Sequence, residues 1–421
     1  MLLQDERVDP SASNNYAIMS ACVSGHTAIV QMLLQDRRVN PSADDDFAIR
    51  YASKLGYTEI VMMLLMDERV DPSVQTNSAI RYASELGFTE IVQMLLQDKW
   101  VDPSADDNYA IRFACKGGYT EIVQMLLQDE RVDPSADDNY AIRLASEMGK
   151  TEVVKILLND ERVDPSARNN YSIKLAFAYR QKATVHILLQ DKRVDPSAYD
   201  NYAIRIATKH GYYEIVEMLL DDERVDPAAQ NNYAIRSASR YGNTEIVQLL
   251  LEHKRVDPSA QNNYSIRSAS RYGNTEIVKL LLKDKRVDPS VMDNYAIRCA
   301  CKNGHAATVQ MLLQDERVDP SADDSYAIGF ACENGHTDLV QILLSNERVD
   351  PSADDNYAIR AASESGHTEI AQMLLNDKRT FADRNYAIRF ASENAHTDIV
   401  SMLLKAERVD SSVADGLNQI I

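Results

Sequence analysis

No stretch of the 421 residues approaches the roughly 18 consecutive apolar residues that a membrane-spanning helix needs. The opening Met1-Leu2-Leu3-Gln4-Asp5-Glu6-Arg7 has neither the basic start nor the long apolar core of a secretory leader. Cysteine is scarce. Cys22, Cys115, Cys299, Cys301 and Cys332 make an odd five without framework spacing, a usage that suits a reducing compartment. Positive charge is in deficit: Lys and Arg number 45 against 64 Asp and Glu, a formal net charge of −19. Phosphate repulsion makes nucleic acid a poor partner for so acidic a chain. These absences point to a cytoplasmic, monomeric protein that takes neither nucleic acid nor membrane as partner.

What is present is repetition. Tyr16, Phe47, Tyr109, Tyr140, Tyr171, Tyr202, Tyr233, Tyr264, Tyr295, Tyr326 and Tyr357 lie on a 31-residue grid, with Ser78 in the missing place. All 12 prolines share one register of that grid, and 11 of the 14 glycines share another, from Gly25 to Gly366. The step from Tyr357 to Tyr386 is 29 residues, because Lys378-Arg379-Thr380-Phe381 replaces the usual Arg-Val-Asp-Pro-Ser. The chain therefore divides as one array over residues 1–421: a half repeat at 1–15, repeats of 31 residues from 16, a short repeat at 357–385 and a degenerate one at 386–421.

Residues 139–164 show the logic of a repeat. Asn139 stands where a helix N-cap is favoured. Ile142 and Ala145 fall three apart, on one helical face. Gly149 suits a C′ position, and Thr151-Glu152 opens a second helix with an acid near its positive end. Val153, Ile156 and Leu157 form an apolar stripe, and Pro165 stops the helix. Each helix spans about three turns or fewer and is too short to persist alone, so the repeats must stack to bury their stripes.

The segment Tyr357-Ala358-Ile359-Arg360-Ala361-Ala362-Ser363-Glu364-Ser365-Gly366-His367-Thr368-Glu369-Ile370-Ala371-Gln372-Met373-Leu374-Leu375 resembles the ankyrin repeat. It departs from that family in carrying Tyr-Ala-Ile-Arg for Thr-Pro-Leu-His and a period of 31 rather than about 33. Arrays of this divergent Val-Asp-Pro-Ser…Tyr-Ala-Ile-Arg style are found in large DNA viruses and protists. The resemblance implies an all-α helix-turn-helix repeat solenoid with short connecting turns or vestigial β-hairpins. The missing residues fall in the finger, which favours a tight Asp-Pro turn. It also implies a non-catalytic scaffold or adaptor that binds a protein in its concave groove, without cofactor or metal.

The residues themselves point the same way. His26, His305, His336, His367 and His396 recur at the Gly-His position, where the resemblance implies capping of the turn between helices. Cys301 and Cys332 share one small-residue slot with Cys115, and Cys299 and Cys301 diverge on their helix, so they form no zinc clip. Acidic turns such as Asp106-Asp107 and Asp137-Asp138 lack the glycine and ligand spacing of calcium loops. They are the expected partners of an arginine ladder: Arg50, Arg81, Arg112, Arg143, Arg205, Arg236, Arg267, Arg298, Arg360 and Arg389.

Function is sought where repeats differ. Ile235–Val247 and Ile266–Val278 are identical over 13 residues, but the two positions before the repeat glycine vary along the chain. The resemblance places that pair in the groove. Its second member reads Leu55, Leu86, Gly117, Met148, Tyr179, His210, Tyr241 and Tyr272, then polar from Asn303; its first reads Lys209, Arg240, Arg271 and Lys302 in the middle. A stripe of exposed Leu, Met and Tyr beside a basic run has the character of a binding hot spot. The alternative is that these side chains pack between repeats. On the binding reading, the stretch from Tyr179 to Asn303 meets an acidic, partly apolar segment of a protein partner.

Other readings remain: the recognition arm of a ubiquitin-ligase-type complex, or a self-associating rod. The repeat at 171–200 is unusual, with Arg180-Gln181 where others have Gly-His or Gly-Tyr. At the C-terminus Ala395 replaces Gly and Ser411 replaces Pro, which reads as a natural end. Met1 to Val8 repeats Met311 to Val318, so residue 1 is expected to fall within a second helix, in a fragment or in a reading frame opened inside a longer array.

Overall fold

The computed structural model describes residues 7–380 and 385–405. The expectations for the first six residues, for Phe381 and for the tail from Ser411 to Ile421 lie outside them. Among the described residues are 26 helices and no strand. The all-α helix-turn-helix architecture therefore forms with turns, not β-hairpins, between repeats. The chain falls into two compact units, Met1–Ala203 and Ile204–Ile421. Within each, first helices pack on first helices and second on second, as Ala105–Gly117 does on Val74–Leu86 in the first unit and Ala260–Arg271 on Ala229–Tyr241 in the second.

The apolar stripes are the core. Ile142, Ala145, Val153, Val154 and Leu157 are all essentially inaccessible. The first helices approach closely through a slot filled by Ser53, Ser84, Cys115 and Ser146, all fully buried. In the unusual repeat the slot takes Phe177, also buried, which meets Tyr202 edge-on with ring centroids 6.3 Å apart. That repeat otherwise keeps the pattern. Arg180 adopts φ 59°, the left-handed conformation that Gly149 adopts at φ 66°. A side chain there costs about 1 kcal/mol relative to glycine. At Gly335 the need for glycine is double: φ is +74°, and a Cβ would lie 2.6 Å from the His367 ring of the next repeat.

The start of each first helix differs from expectation. Asp137, Asp138 and Asn139 have φ of 51°, 53° and 60°, so three residues in succession are left-handed before the right-handed helix begins at Tyr140. Asn139 is therefore not an N-cap. It is buried, and its Oδ1 accepts a hydrogen bond of 2.6 Å from the backbone N–H of Asp164, 25 residues on. The same bond joins Asn108 to Asp133 at 2.7 Å and Asn232 to Asp257 at 2.7 Å. Left-handed residues with a Cβ are costly, and Asn and Asp tolerate them best. An arginine then ties the turn: Arg50 donates to the carbonyls of Asp45 at 2.7 Å and Asp44 at 2.9 Å.

A second arginine series clamps neighbours together. Arg162 binds Asp160 through Nε at 3.0 Å and Nη2 at 2.7 Å, holding that carboxyl below the usual range. Its Nη1 also donates to the Val132 carbonyl at 2.8 Å, one repeat back. Arg379 does the same to Val349 at 2.9 Å inside the shortened repeat, so the deletion spares the clamp. The connection is an Asx turn over proline: Ser166 donates to Asp164 Oδ1 through N–H at 2.8 Å and Oγ at 2.6 Å.

Candidate functional site

The variable positions sit at the C-terminal ends of the first helices, beside a left-handed residue that is glycine in most repeats and Arg180 after Tyr179. In the first unit Leu55, Leu86, Met148 and Tyr179 are exposed, from 38% for Met148 to 54% for Tyr179. Their side chains are thus not buried between repeats. Tyr179 hydrogen-bonds the Glu147 carboxylate, which pushes the phenol pKa up.

In the second unit Tyr241 and Tyr272 are exposed, as are Arg240, Arg271, Lys302 and Asn303; Lys209 and His210 are half-buried. The structure brings the central four together. The Arg240 guanidinium lies 5.7 Å from the Tyr241 ring centre and 5.4 Å from that of Tyr272. Arg271 lies 6.0 Å from Tyr272. Lys302 turns to the Phe330 ring at 5.3 Å, and Asn303 donates to the Cys299 carbonyl of its own helix at 2.8 Å. Neither of these last two shares a ring with the arginines.

Beneath this pair runs an alternating Tyr–Arg stack. Arg236 lies between Tyr233 at 5.8 Å and Tyr264 at 5.4 Å, and Arg267 between Tyr264 at 5.6 Å and Tyr295 at 5.4 Å. Two clefts open in it. One, of 220 Å³, is walled by Arg240, Tyr264, Arg267, Arg271, Tyr272 and Tyr295. The other, of 70 Å³, is walled by Tyr233, Arg236, Ser237, Arg240, Tyr241 and Tyr264.

The expected pairing of the arginine ladder with acidic turns holds in only some repeats. Arg81 reaches Asp106 at 2.5 Å, Arg298 pairs with Asp323, and Arg360 meets Asp354 at 3.2 Å. The recurrent partner is instead the carbonyl of the left-handed turn, as for Arg236 with Asn231 and Gln230 at 2.9 and 3.0 Å. Turn carbonyls are always there; the carboxylates come and go with the sequence.

The histidines bridge repeats rather than cap a turn within one. Nε2 of His305, His336, His367 and His396 meets a carbonyl of the preceding repeat at 3.0, 3.2, 3.1 and 3.0 Å. Asn274 and Gln181 fill the same role through side-chain amides. The cysteines are buried, and desolvation raises the Cys22 thiol to about 12 and those of Cys115, Cys301 and Cys332 further, which leaves no reactive thiolate at these four. Sequence reasoning missed the buried Asn bonds and the Arg–Val clamps. Their signal was present: an Asn and an Arg that recur on the 31-residue grid nearly as strictly as the proline.

Paired antiparallel helices, stacked by a 31-residue repeat and displaying a variable face, define a helical-repeat binding module. The model for ankyrin repeats (three copies) matches in overlapping sets over residues 1–76 and, from 79 onward, through 415. The chain belongs to the ankyrin-repeat family, whose members are generally protein–protein interaction modules. A search of curated proteins gave no match. No helix among the described residues is long and apolar enough to cross a membrane.

Proposed function

We propose that this chain is a non-catalytic adaptor or scaffold that grips a protein partner on the exposed face of its second unit, around Arg240, Tyr241, Arg271 and Tyr272. The observation that carries the reading is the pairing of two exposed tyrosines with two exposed guanidiniums on a chain of net charge −19. Tyrosine and arginine supply much of the energy at protein interfaces, and large exposed aromatic side chains in one patch mark interaction surfaces. The partner segment is acidic and partly apolar.

The test is quantitative recovery of bound proteins from the native cell by affinity capture and mass spectrometry. Tyr241→Ala with Tyr272→Ala is expected to cut recovery of the main partner at least tenfold, a loss of about 1.4 kcal/mol or more. Leu55→Ala with Leu86→Ala in the first unit is the matched control. Equal recovery by the tyrosine double variant and the native chain overturns the reading.

A further inference from the structure

The two repeats at the centre of this face are copies. Tyr233 to Asn243 and Tyr264 to Asn274 differ only at Ala234 and Ser265, both buried. The chain thus presents the same Tyr, Arg, Arg and Tyr twice, offset by one repeat, which for packed helices is about 10 Å. The two clefts are the visible result, and they share Arg240 and Tyr264 as a common wall.

Charge is arranged to match. The turns ahead of these two repeats are Gln230-Asn231-Asn232 and Gln261-Asn262-Asn263, acid-free where three other repeats carry Asp106-Asp107-Asn108, Asp137-Asp138-Asn139 and Asp354-Asp355-Asn356. Arg236 and Arg267 are held by turn carbonyls, at 2.9 and 3.0 Å and at 2.8 and 3.0 Å. No carboxylate pairs with Arg240 or Arg271 among the described residues. Four cations therefore converge on two small clefts without a counter-ion. An anionic group in each cleft supplies the missing counter-charge.

We infer that this face is a tandem anion reader: it recognises a peptide in the polyproline-II conformation carrying two anionic side chains three residues apart, one seated in each cleft. A polyproline-II chain has three residues per turn and advances about 3.1 Å per residue, so residues three apart share one face and span about 9 Å, close to the roughly 10 Å between clefts. The tyrosines flank the intervening residues, which favours apolar ones there. The anion is a carboxylate or a phosphate ester, since either accepts from the arginine fork. The inference rests on the proposed function in taking this face as the partner surface.

The experiment uses the full chain and fluorescein-labelled 12-residue peptides, read by fluorescence anisotropy at low salt. Each peptide holds two Glu at a spacing of two, three, four or five with Leu between them, at constant net charge. A phosphoserine pair and a Gln pair at spacing three complete the set. Spacing three is expected to bind at least about fivefold tighter than spacing two or five, and the Gln pair at least tenfold weaker. The ratio of the Glu and phosphoserine arms tells which anion the clefts prefer.

Arg240→Gln with Arg271→Gln is expected to remove the preference for charge and spacing, with thermal melting unchanged because both side chains are exposed. Equal binding at all spacings, Gln binding as well as Glu, or no binding by any peptide overturns the inference. If Tyr241→Ala with Tyr272→Ala weakens peptide binding while the arginine variants do not, the anion reader falls and the partner face stands.

Discussion

In the first unit the turns before Tyr109 and Tyr140 read Asp106-Asp107-Asn108 and Asp137-Asp138-Asn139, and their acids approach Arg81 at 2.5 Å and Arg143 at 3.7 Å. In the second, the turns before Tyr233 and Tyr264 read Gln230-Asn231-Asn232 and Gln261-Asn262-Asn263, and Arg236 and Arg267 bond the turn carbonyls with no carboxylate beside them. The backbone is the same in both: three left-handed residues, then a helix. Only the third residue of the turn is committed to the fold, through its buried amide. The first two side chains are exposed, so they change the charge of the face without touching the framework. The amide turns fall where Arg240, Tyr241, Arg271 and Tyr272 are displayed, whereas in the first unit the register of those arginines mixes signs, with Lys54 and Lys116 as well as Glu85 and Glu147.

If the framework is shared and only the surface differs, the same framework deletion must cost the same in either unit. Asn108→Ala and Asn232→Ala each remove the partner of a part-buried hydrogen bond from an Asp N–H, that of Asp133 or Asp257. Each is expected to lower stability by about 2–3 kcal/mol, combining the orphaned donor with a left-handed residue that alanine tolerates poorly. Urea unfolding followed by circular dichroism measures both. A loss confined to one variant breaks the comparison.

Each unit also carries framework residues that depart from pattern. One in the first is Asp46, an acid in the slot where Asn108 and Asn139 stand. It is buried, accepts from the Asp71 N–H at 3.0 Å, and its pKa rises to about 6. Burial is the main cause; the charges of Asp71 and Asp45 add to it, while the Asp71 N–H and Arg50 oppose it. A folded-state pKa above the ordinary 3.8 means that the stabilising contribution is full below about pH 4 and is lost as pH rises through 6. Asp46→Asn restores the neutral amide. It is expected to raise stability by about 1–2 kcal/mol at pH 8, with the gain vanishing below about pH 4. Thermal melting of both proteins from pH 4 to 8 checks this, and a pH-independent difference contradicts it.

How far the sequence discloses this molecule follows from what each residue interacts with. Tyr, Pro and Gly on the 31-residue grid disclose the repeat, and three-residue spacings such as Ile142 to Ala145 disclose the buried faces, because these act within a repeat. The Asn139 and Arg162 bonds reach Asp164 and Val132, 25 and 30 residues away, and local reasoning treats such residues as a cap and a helix exit. The left-handed turn is hidden because its composition varies, from Asp137-Asp138-Asn139 to Gln261-Asn262-Asn263, and the commitment lies in the third residue alone. At the face, Arg240, Tyr241, Arg271 and Tyr272 stood out by differing from other repeats. The clefts did not, since they arise from side chains of neighbouring repeats that only the stacked structure sets side by side.

One departure in the second unit is His253, which takes the place of the clamp acid beside Arg255. Where Asp284 binds Arg286 through both carboxylate oxygens, His253 only accepts the Arg255 backbone N–H at Nδ1, at 3.3 Å. Arg255 still reaches the Val225 carbonyl at 2.7 Å, so the link between repeats survives without the acid. Burial, then the Arg255 charge, lowers the imidazole pKa from its usual 6.5. The folded state therefore prefers neutral imidazole, and stability falls as pH drops below about 6.5. His253→Asp restores a half-exposed ion pair like that of Asp284 and Arg286, worth about 0.5 kcal/mol near pH 7. The gain over native is expected to widen at pH 5.5, where the imidazole resists protonation but the aspartate stays charged. A gain that shrinks between pH 7 and 5.5 shows that the clamp acid is dispensable in this repeat, and that the framework, like the face, differs between the two units.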